Sequence, residues 1–163
     1  MEKPAHCYLS LGSNLGNRKE NIVGAIVRIS EKAGRIVALS GYYETEPWGF
    51  ESESKFLNVA VEIVTNLPPA DLLRTTQEIE RETGRKEKSV DGVYKDRIID
   101  IDILFYDNLI LNTNDLKIPH PLLHERPFVL QPLAEIAPDF VHPQLNRKMK
   151  DFTSPPAVLT VLP

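Results

Sequence analysis

An α+β fold, an antiparallel sheet with both helices on one face, is what this sequence predicts. Three observations predict it: short runs in which apolar residues alternate, two longer stretches with a helical stripe, and their succession in the order β-α-β-β-α-β. Cys7 to Leu11 is short, apolar and stops at Gly12, as a first strand does. The loop Gly12-Ser13-Asn14-Leu15-Gly16 follows. From Asn17, Ile22, Ile26, Ile29 and Ala33 recur at helical spacing, with Asn17 placed to cap the start, Glu20 three residues on, and Gly34 to stop it. Ile36 to Glu44 is rich in Val, Leu and Tyr. After a turn at Pro47-Trp48-Gly49, Phe56 to Val64 puts Leu57, Val59, Val61 and Ile63 on one face. These segments are read as two antiparallel strands.

Pro68 and Pro69 open a second helix whose stripe is Leu72, Leu73, Thr76, Ile79 and Thr83, ended by Gly84. Arg85 to Asp96 holds few apolar residues and reads as a mobile basic loop. Arg97 then opens a strand in which Ile99, Ile101, Ile103 and Phe105 alternate with Asp100, Asp102, Leu104 and Tyr106. Asp107-Asn108 turns the chain, and Leu109 to Leu111 is expected to pair back as a short strand. Beyond Leu116, six of the 13 prolines fall between Pro119 and Pro143, leaving room for one short helix near Leu130 to Ile136. The whole describes a ferredoxin-like βαββαβ sheet with a proline-rich C-terminal extension and one sheet face left open for a ligand. That arrangement hosts metal carriers, RNA binders and transferases alike, so the site has to be argued from side chains.

The 163 residues are of one-domain size, and one domain over 1–150 with an appended tail over 151–163 is expected. Apolar residues at 42% and charged residues at 26% argue against both wholesale disorder and a membrane span. A net charge of -4 lacks the positive surplus that non-specific nucleic-acid binding draws on. No signal-like segment precedes the first apolar run, so a cytoplasmic protein, expected to be a monomer, is the reading. The single Cys7 leaves no internal disulfide and no Cys-rich zinc site, and reads as a buried strand thiol.

Asp100 and Asp102 are the most informative residues, because they sit in an otherwise strongly apolar strand. Period-two alternation puts both carboxylates on one sheet face with Cα atoms roughly 6.6–6.8 Å apart. Repulsion and desolvation beside buried isoleucines disfavour that arrangement unless cations neutralise it. Magnesium fits, since it takes hard oxygen ligands and keeps positions for water and substrate phosphates. A solvated acidic strand face is the bland alternative. Basic surroundings weigh toward metal-bound polyphosphate: Arg85, Lys86, Lys88, Lys95 and Arg97 lead into the strand, and His120 and Arg126 lie in a proline-rich segment beyond it.

Other motifs are weaker. His120 and His124 have zinc-like spacing, but Pro121 stands between them and breaks the helix that would align them. His6 and His142 read as structural. Gly12 to Lys19 lacks the Gly-Lys-Ser/Thr ending of a phosphate-binding P-loop and reads as a strand-to-helix turn. The protein-kinase motif set is absent. The residues alone leave three readings: a phosphoryl transferase, a metal-dependent phosphohydrolase, and a nucleic-acid-binding module on the same topology. The last would need an aromatic, basic sheet face where Asp100 and Asp102 stand.

Leu11 to Gly16, Tyr43-Glu44-Thr45-Glu46-Pro47-Trp48-Gly49, Phe56-Leu57-Asn58, Gln77 to Glu80, Gly84-Arg85, Arg97 to Ile103, and Pro119-His120 to Arg126-Pro127-Phe128 occur in this order. Together they closely resemble the 6-hydroxymethyl-7,8-dihydropterin pyrophosphokinase family of folate biosynthesis, over about Tyr8 to Pro143. The resemblance implies transfer of the β,γ-pyrophosphoryl unit of ATP to the hydroxymethyl oxygen of the pterin, releasing AMP. It implies two magnesium ions on Asp100 and Asp102, with Arg85 and Arg97 joining these two as the catalytic set. Gln77, Glu80, Arg85, Arg97, Ile103, His120 and Arg126 match nucleotide-binding positions. Thr45, Glu46, Trp48, Phe56, Asn58, Tyr94, Asp100 and Phe128 match the pterin pocket, with Phe56 and Phe128 as the stacking pair. The implied partners are the two small molecules alone.

The sequence departs from the family pattern at several points. The loop between Gly84 and Arg97 is about two residues longer than usual, and Glu87 falls where a second loop arginine is expected, leaving Lys86 or Lys88 as point charges. Tyr94 replaces a frequent tryptophan, and Glu46 a frequent proline. Asp102 is the candidate acceptor for the hydroxyl proton.

Overall fold

The computed structural model describes residues 3–45, 55–83, 98–152 and 160–162. In chain order the elements are β1 (Ala5–Ser13), α1 (Arg18–Lys32), β2 (Arg35–Leu39), β3 (Tyr42–Thr45), β4 (Phe56–Thr65), α2 (Pro69–Thr83), β5 (Asp100–Tyr106), β6 (Leu111–Asn112), β7 (Lys117–Ile118), α3 (Pro127–Ile136) and β8 (Thr160–Leu162). The main sheet runs β5-β1-β4-β3-β8, with β2 also paired to β4, and all its pairings are antiparallel.

The turn from β1 into α1 follows from its polar side chains. Asn17 Oδ1 accepts the Glu20 N–H at 3.1 Å, which caps the helix. Asn21 Nδ2 donates to Ser13 Oγ at 3.2 Å and to the Leu15 carbonyl at 2.8 Å, and Gly16 takes φ +67, a conformation glycine enters freely. α1 then buries Ile22, Ala25 and Ile29, and α2 buries Leu72, Thr76, Ile79 and Glu80. Both helices pack on the sheet face formed by Cys7, Leu9 and Leu11 of β1, Leu57, Val59, Val61 and Ile63 of β4, and Ile101 and Ile103 of β5. Cys7 is fully buried, and burial pushes its thiol up to about 12, so it is the inert strand thiol expected.

Four features differ from the sequence reading. Ile36 to Glu44 is two strands, β2 and β3, both on β4. Ser40 divides them because its Oγ, in place of a backbone carbonyl, accepts the Ala60 N–H at 2.8 Å. In β5 the register slips one residue at Leu104, so that Ile103 faces Leu9 and Phe105 faces Tyr8. A bulge of this kind reverses alternation. Phe105 therefore joins Leu104 on the face away from α1 and α2, and Tyr106 turns to the helix side, its hydroxyl donating to the Leu67 carbonyl at 2.7 Å. The strand expected at Leu109 to Leu111 pairs forward, β6 with β7, in a separate two-stranded sheet. Residues 160–162, inside the segment read as a tail, form β8 on the edge of β3.

α3 begins at Pro127, three residues before the expected helix, since proline at the first helical turn has its φ already set. It buries Val129, Leu130 and Leu133 against Tyr8, Ala60, Leu104 and Phe105, making a second core on the far face. α3 thus covers that face at the level of Tyr8, Ala60 and Leu104, and the Gly12 end lies beyond it. His142 serves this core: Nδ1 accepts the Gln144 and Leu145 N–H groups, both at 3.1 Å. Among the described residues, no helix is long and apolar enough to cross a membrane.

Candidate active site

Strand register builds the open end of the far face. Gly12 lies between Asp100 on one side and Asn58 on the other, Ser10 lies beside Asp102, and Phe56 is paired with Thr45. The two aspartates and Asn58 thus share a face, two strands apart, over a floor that lacks side-chain bulk at Gly12. A Cβ there would stand 2.8 Å from Asn58 Oδ1 and 3.5 Å from the Phe56 ring. Glycine in a strand marks such close approaches. Asn58 is 4% exposed, and its buried Nδ2 has no hydrogen-bond partner among the described residues. A native core seldom leaves such a donor orphaned, so this one suits a ligand acceptor.

Burial raises the Asp102 pKa, the neighbouring charge of Asp100 adds to the rise, and Glu80 adds less, while Arg126 opposes it. The carboxylate pair is therefore short of positive charge. Glu80, though on α2, is buried there, and its Oε2 accepts the Ile101 N–H at 2.9 Å, fixing β5 midway between the aspartates. Among the described residues no group of three or more metal-ligating side chains gathers. Two hard carboxylates needing a cation fit magnesium, whose remaining positions go to water and phosphate oxygens, better than zinc.

His120 reaches this end because its N–H donates to the carbonyl of Leu104, the residue the bulge leaves unpaired, at 3.1 Å. Its Nδ1 accepts the Leu122 N–H at 3.3 Å, so the neutral ring carries its proton on Nε2 as a donor. Burial first, then the charge of Arg126, holds its pKa down to about 4. Arg126 lies over the Phe128 ring, its Cζ 5.9 Å from the centroid.

Asp100, Asp102, Asn58 and Phe56 thus meet on one face, and the electrostatics tie His120 and Arg126 to the aspartates. Gln77 is exposed on α2, one turn before Glu80. Ile103 is 4% exposed within the helix-side core, so only its backbone is available to the site face. Thr45 is described in its backbone alone. Arg85, Arg97, Glu46, Trp48 and Tyr94 lie outside the described residues. The contacts of Gly12 and Glu80 were missed by sequence reasoning; a strand glycine beside polar residues was the available signal for the first.

The family described as 7,8-dihydro-6-hydroxymethylpterin-pyrophosphokinase matches residues 8–138 of this chain. The chain belongs to this family. The pyrophosphokinase of Porphyromonas gingivalis, named for 2-amino-4-hydroxy-6-hydroxymethyldihydropteridine, is 49% identical over 138 residues, which is 84% of this chain and 93% of its own length. The pyrophosphokinase of the same name from Aquifex aeolicus is 42% identical over 148 residues, 91% of this chain and 90% of its own. A folic acid synthesis protein of Dictyostelium discoideum is 45% identical over 139 residues, which make up 20% of that protein. Among solved structures, Plasmodium falciparum HPPK-DHPS with pteroate superposes with a TM-score of 0.73 at 17% identity, over 92% of this chain and 44% of that one, and so shares the α+β fold with its antiparallel sheet. The expectation of an ATP-dependent pyrophosphokinase of folate biosynthesis is borne out.

Proposed function

We propose that this pyrophosphokinase performs its transfer on the open end of the far sheet face, with Asp100 and Asp102 holding two magnesium ions. The observation that carries this is the half-buried aspartate pair of β5, short of positive charge, facing the orphaned Asn58 amide across Gly12. Magnesium, when bound, supplies positive charge against the ATP phosphates. The pterin hydroxymethyl oxygen attacks the β-phosphorus of ATP, the bond from that phosphorus to the bridging oxygen breaks, and AMP leaves with that oxygen. Asp102 accepts the hydroxyl proton.

Arg85, Arg97, Arg126 and the Nε2–H of His120 hold phosphate oxygens and offset charge in the transition state. Gln77, Glu80 and the backbone of Ile103 border the nucleotide. Phe56 and Phe128 stack on the pterin, while Asn58, Thr45, Glu46, Trp48, Tyr94 and Asp100 address its edge and hydroxymethyl arm. The basic segment from Arg85 closes over the site to exclude water. In this reading residues 1–150 are a ferredoxin-like unit with a proline-rich extension, residues 151–163 are an appended segment whose residues 160–162 add the edge strand β8, and the enzyme is a cytoplasmic monomer.

The test is to incubate the protein with ATP, magnesium and reduced hydroxymethylpterin. AMP should form only when the pterin is present, and Asp102→Asn should cut turnover by orders of magnitude with the fold intact. Pterin-independent phosphate release would replace this reading with a phosphohydrolase, and RNA binding without AMP would replace it with a binding module.

A further inference from the structure

We infer that Arg18 is a positioning residue for the pterin half of the site, acting from the opposite face of the sheet; the inference rests on the proposed function. Arg18 is the first residue of α1, where the helix dipole disfavours a positive charge. Its side chain is held instead by two tertiary partners. Nη2 lies 2.8 Å from Glu44 Oε2, and Nη1 donates to the Lys55 carbonyl at 2.9 Å. Glu44 immediately precedes Thr45, Lys55 immediately precedes Phe56, and Thr45 and Phe56 are register partners. One guanidinium therefore ties the outgoing end of β3 to the incoming end of β4, at the level where both strands meet the site.

The tie is made behind the sheet. Glu44 is the register partner of Leu57, which is buried in the core under α1 and α2, while Phe56 and Asn58 alternate onto the site face. Side-chain exposures of 29% for Arg18 and 22% for Glu44 leave the ion pair only partly screened by water. A planar guanidinium serves a carboxylate and a carbonyl at once, and a lysine ammonium would give up that fork. Next along the helix, Lys19 Nζ stands 5.2 Å over the Tyr42 ring, a second tie to the same strand further from the site. Freed from Arg18, the ends of β3 and β4 shift relative to Asp100 and Asp102. Misplacement near 1 Å costs up to about 10²-fold in a positioned reaction.

Steady-state kinetics and thermal unfolding of the full chain test this. Arg18→Met keeps the stem and removes both bonds. It should raise KM for the pterin about tenfold, with KM for ATP within about twofold and Tm nearly unchanged. Arg18→Glu should be worse, and Arg18→Glu with Glu44→Arg should recover part of the pterin KM by restoring the strand tie. An unmoved pterin KM in Arg18→Met, or a joint shift of both KM values and Tm that the charge exchange does not recover, overturns the role of Arg18 alone. Wild-type protein that forms no pterin-dependent AMP overturns the functional reading, and the inference with it.

Discussion

Gly12→Ala isolates the floor of the site. An added Cβ would stand 2.8 Å from Asn58 Oδ1. Ordinary contact distances require the amide to withdraw by roughly 0.5–1 Å. Gly12 lies in the middle of paired strands and takes no left-handed φ, so the backbone accepts alanine and the strain falls on Asn58. Overpacking costs about 1–3 kcal/mol, part of it relieved by movement of the amide. If Asn58 addresses the pterin edge as proposed, a misdirected hydrogen bond there loses about 0.5–1.5 kcal/mol of binding. The pterin KM should rise about 3–10-fold while the ATP KM stays within about twofold, and Tm should fall by about 3–6 °C for roughly 1–2 kcal/mol in a domain of this size. In an Asn58→Ala background the substitution should have almost no further effect on the pterin KM, because the atom it displaces is gone. Equal effects of Gly12→Ala with and without the Asn58 amide would refute the argument.

Further outcomes follow from the same geometry. Glu80→Ala strands the buried Ile101 N–H and should destabilise by about 1–3 kcal/mol, whereas Glu80→Gln keeps an acceptor and should cost clearly less in a denaturant titration. His120 titrates near 4 in the folded chain against 6.5 unfolded, so the unfolded chain takes up the proton first. Its contribution to stability is complete above the higher value and is lost as pH falls toward the lower one. His120→Asn should flatten that acid loss by about 1–2 kcal/mol after allowance for solvent, as read from melts across pH 7 to 4. Tyr106→Phe removes the bond to the Leu67 carbonyl and should lower Tm by about 2–4 °C with both KM values unchanged. Chelation of divalent ions should abolish AMP formation and leave far-UV circular dichroism unaltered.

Much of this architecture was legible because its signals are local. Apolar periodicity located β1, β4, β5, α1 and α2, and the Asn17 cap and Gly34 stop bounded α1 to within a residue or two. The reversal at Leu104 was not legible, since Leu104-Phe105 is an apolar pair that either face accepts and the decision belongs to the register against β1. The break at Ser40 was hidden for a related reason: a hydroxyl substituting for a backbone acceptor leaves no mark on a hydropathy pattern. Within the candidate site, acids in an apolar strand singled out Asp100 and Asp102. Phe56 and Phe128 are indistinguishable by periodicity from core aromatics and came from the family resemblance. Glu80 and Arg18 act on residues 21 to 37 positions away, and no spacing rule reaches that far.

The far face explains why the aspartate pair differs from an ordinary solvated strand. Along β5 it reads Asp100, Asp102, Leu104; along β4, Phe56, Asn58, Ala60; along β1, Gly12, Ser10, Tyr8. Each strand passes from site to core in steps of two residues, about 7 Å. α3 covers the Leu104, Ala60 and Tyr8 level, so Asp102 stands one step from a closed apolar layer while Asp100 stands two. Burial is accordingly the largest cause of the raised Asp102 pKa, ahead of the charge on Asp100. The bulge at Leu104 completes the arrangement, because it turns Phe105 into that layer without moving either aspartate off the face. Regular alternation would have sent Phe105 to the helix side, leaving the layer thinner and the carboxylate wetter, and with it a weaker demand for a cation.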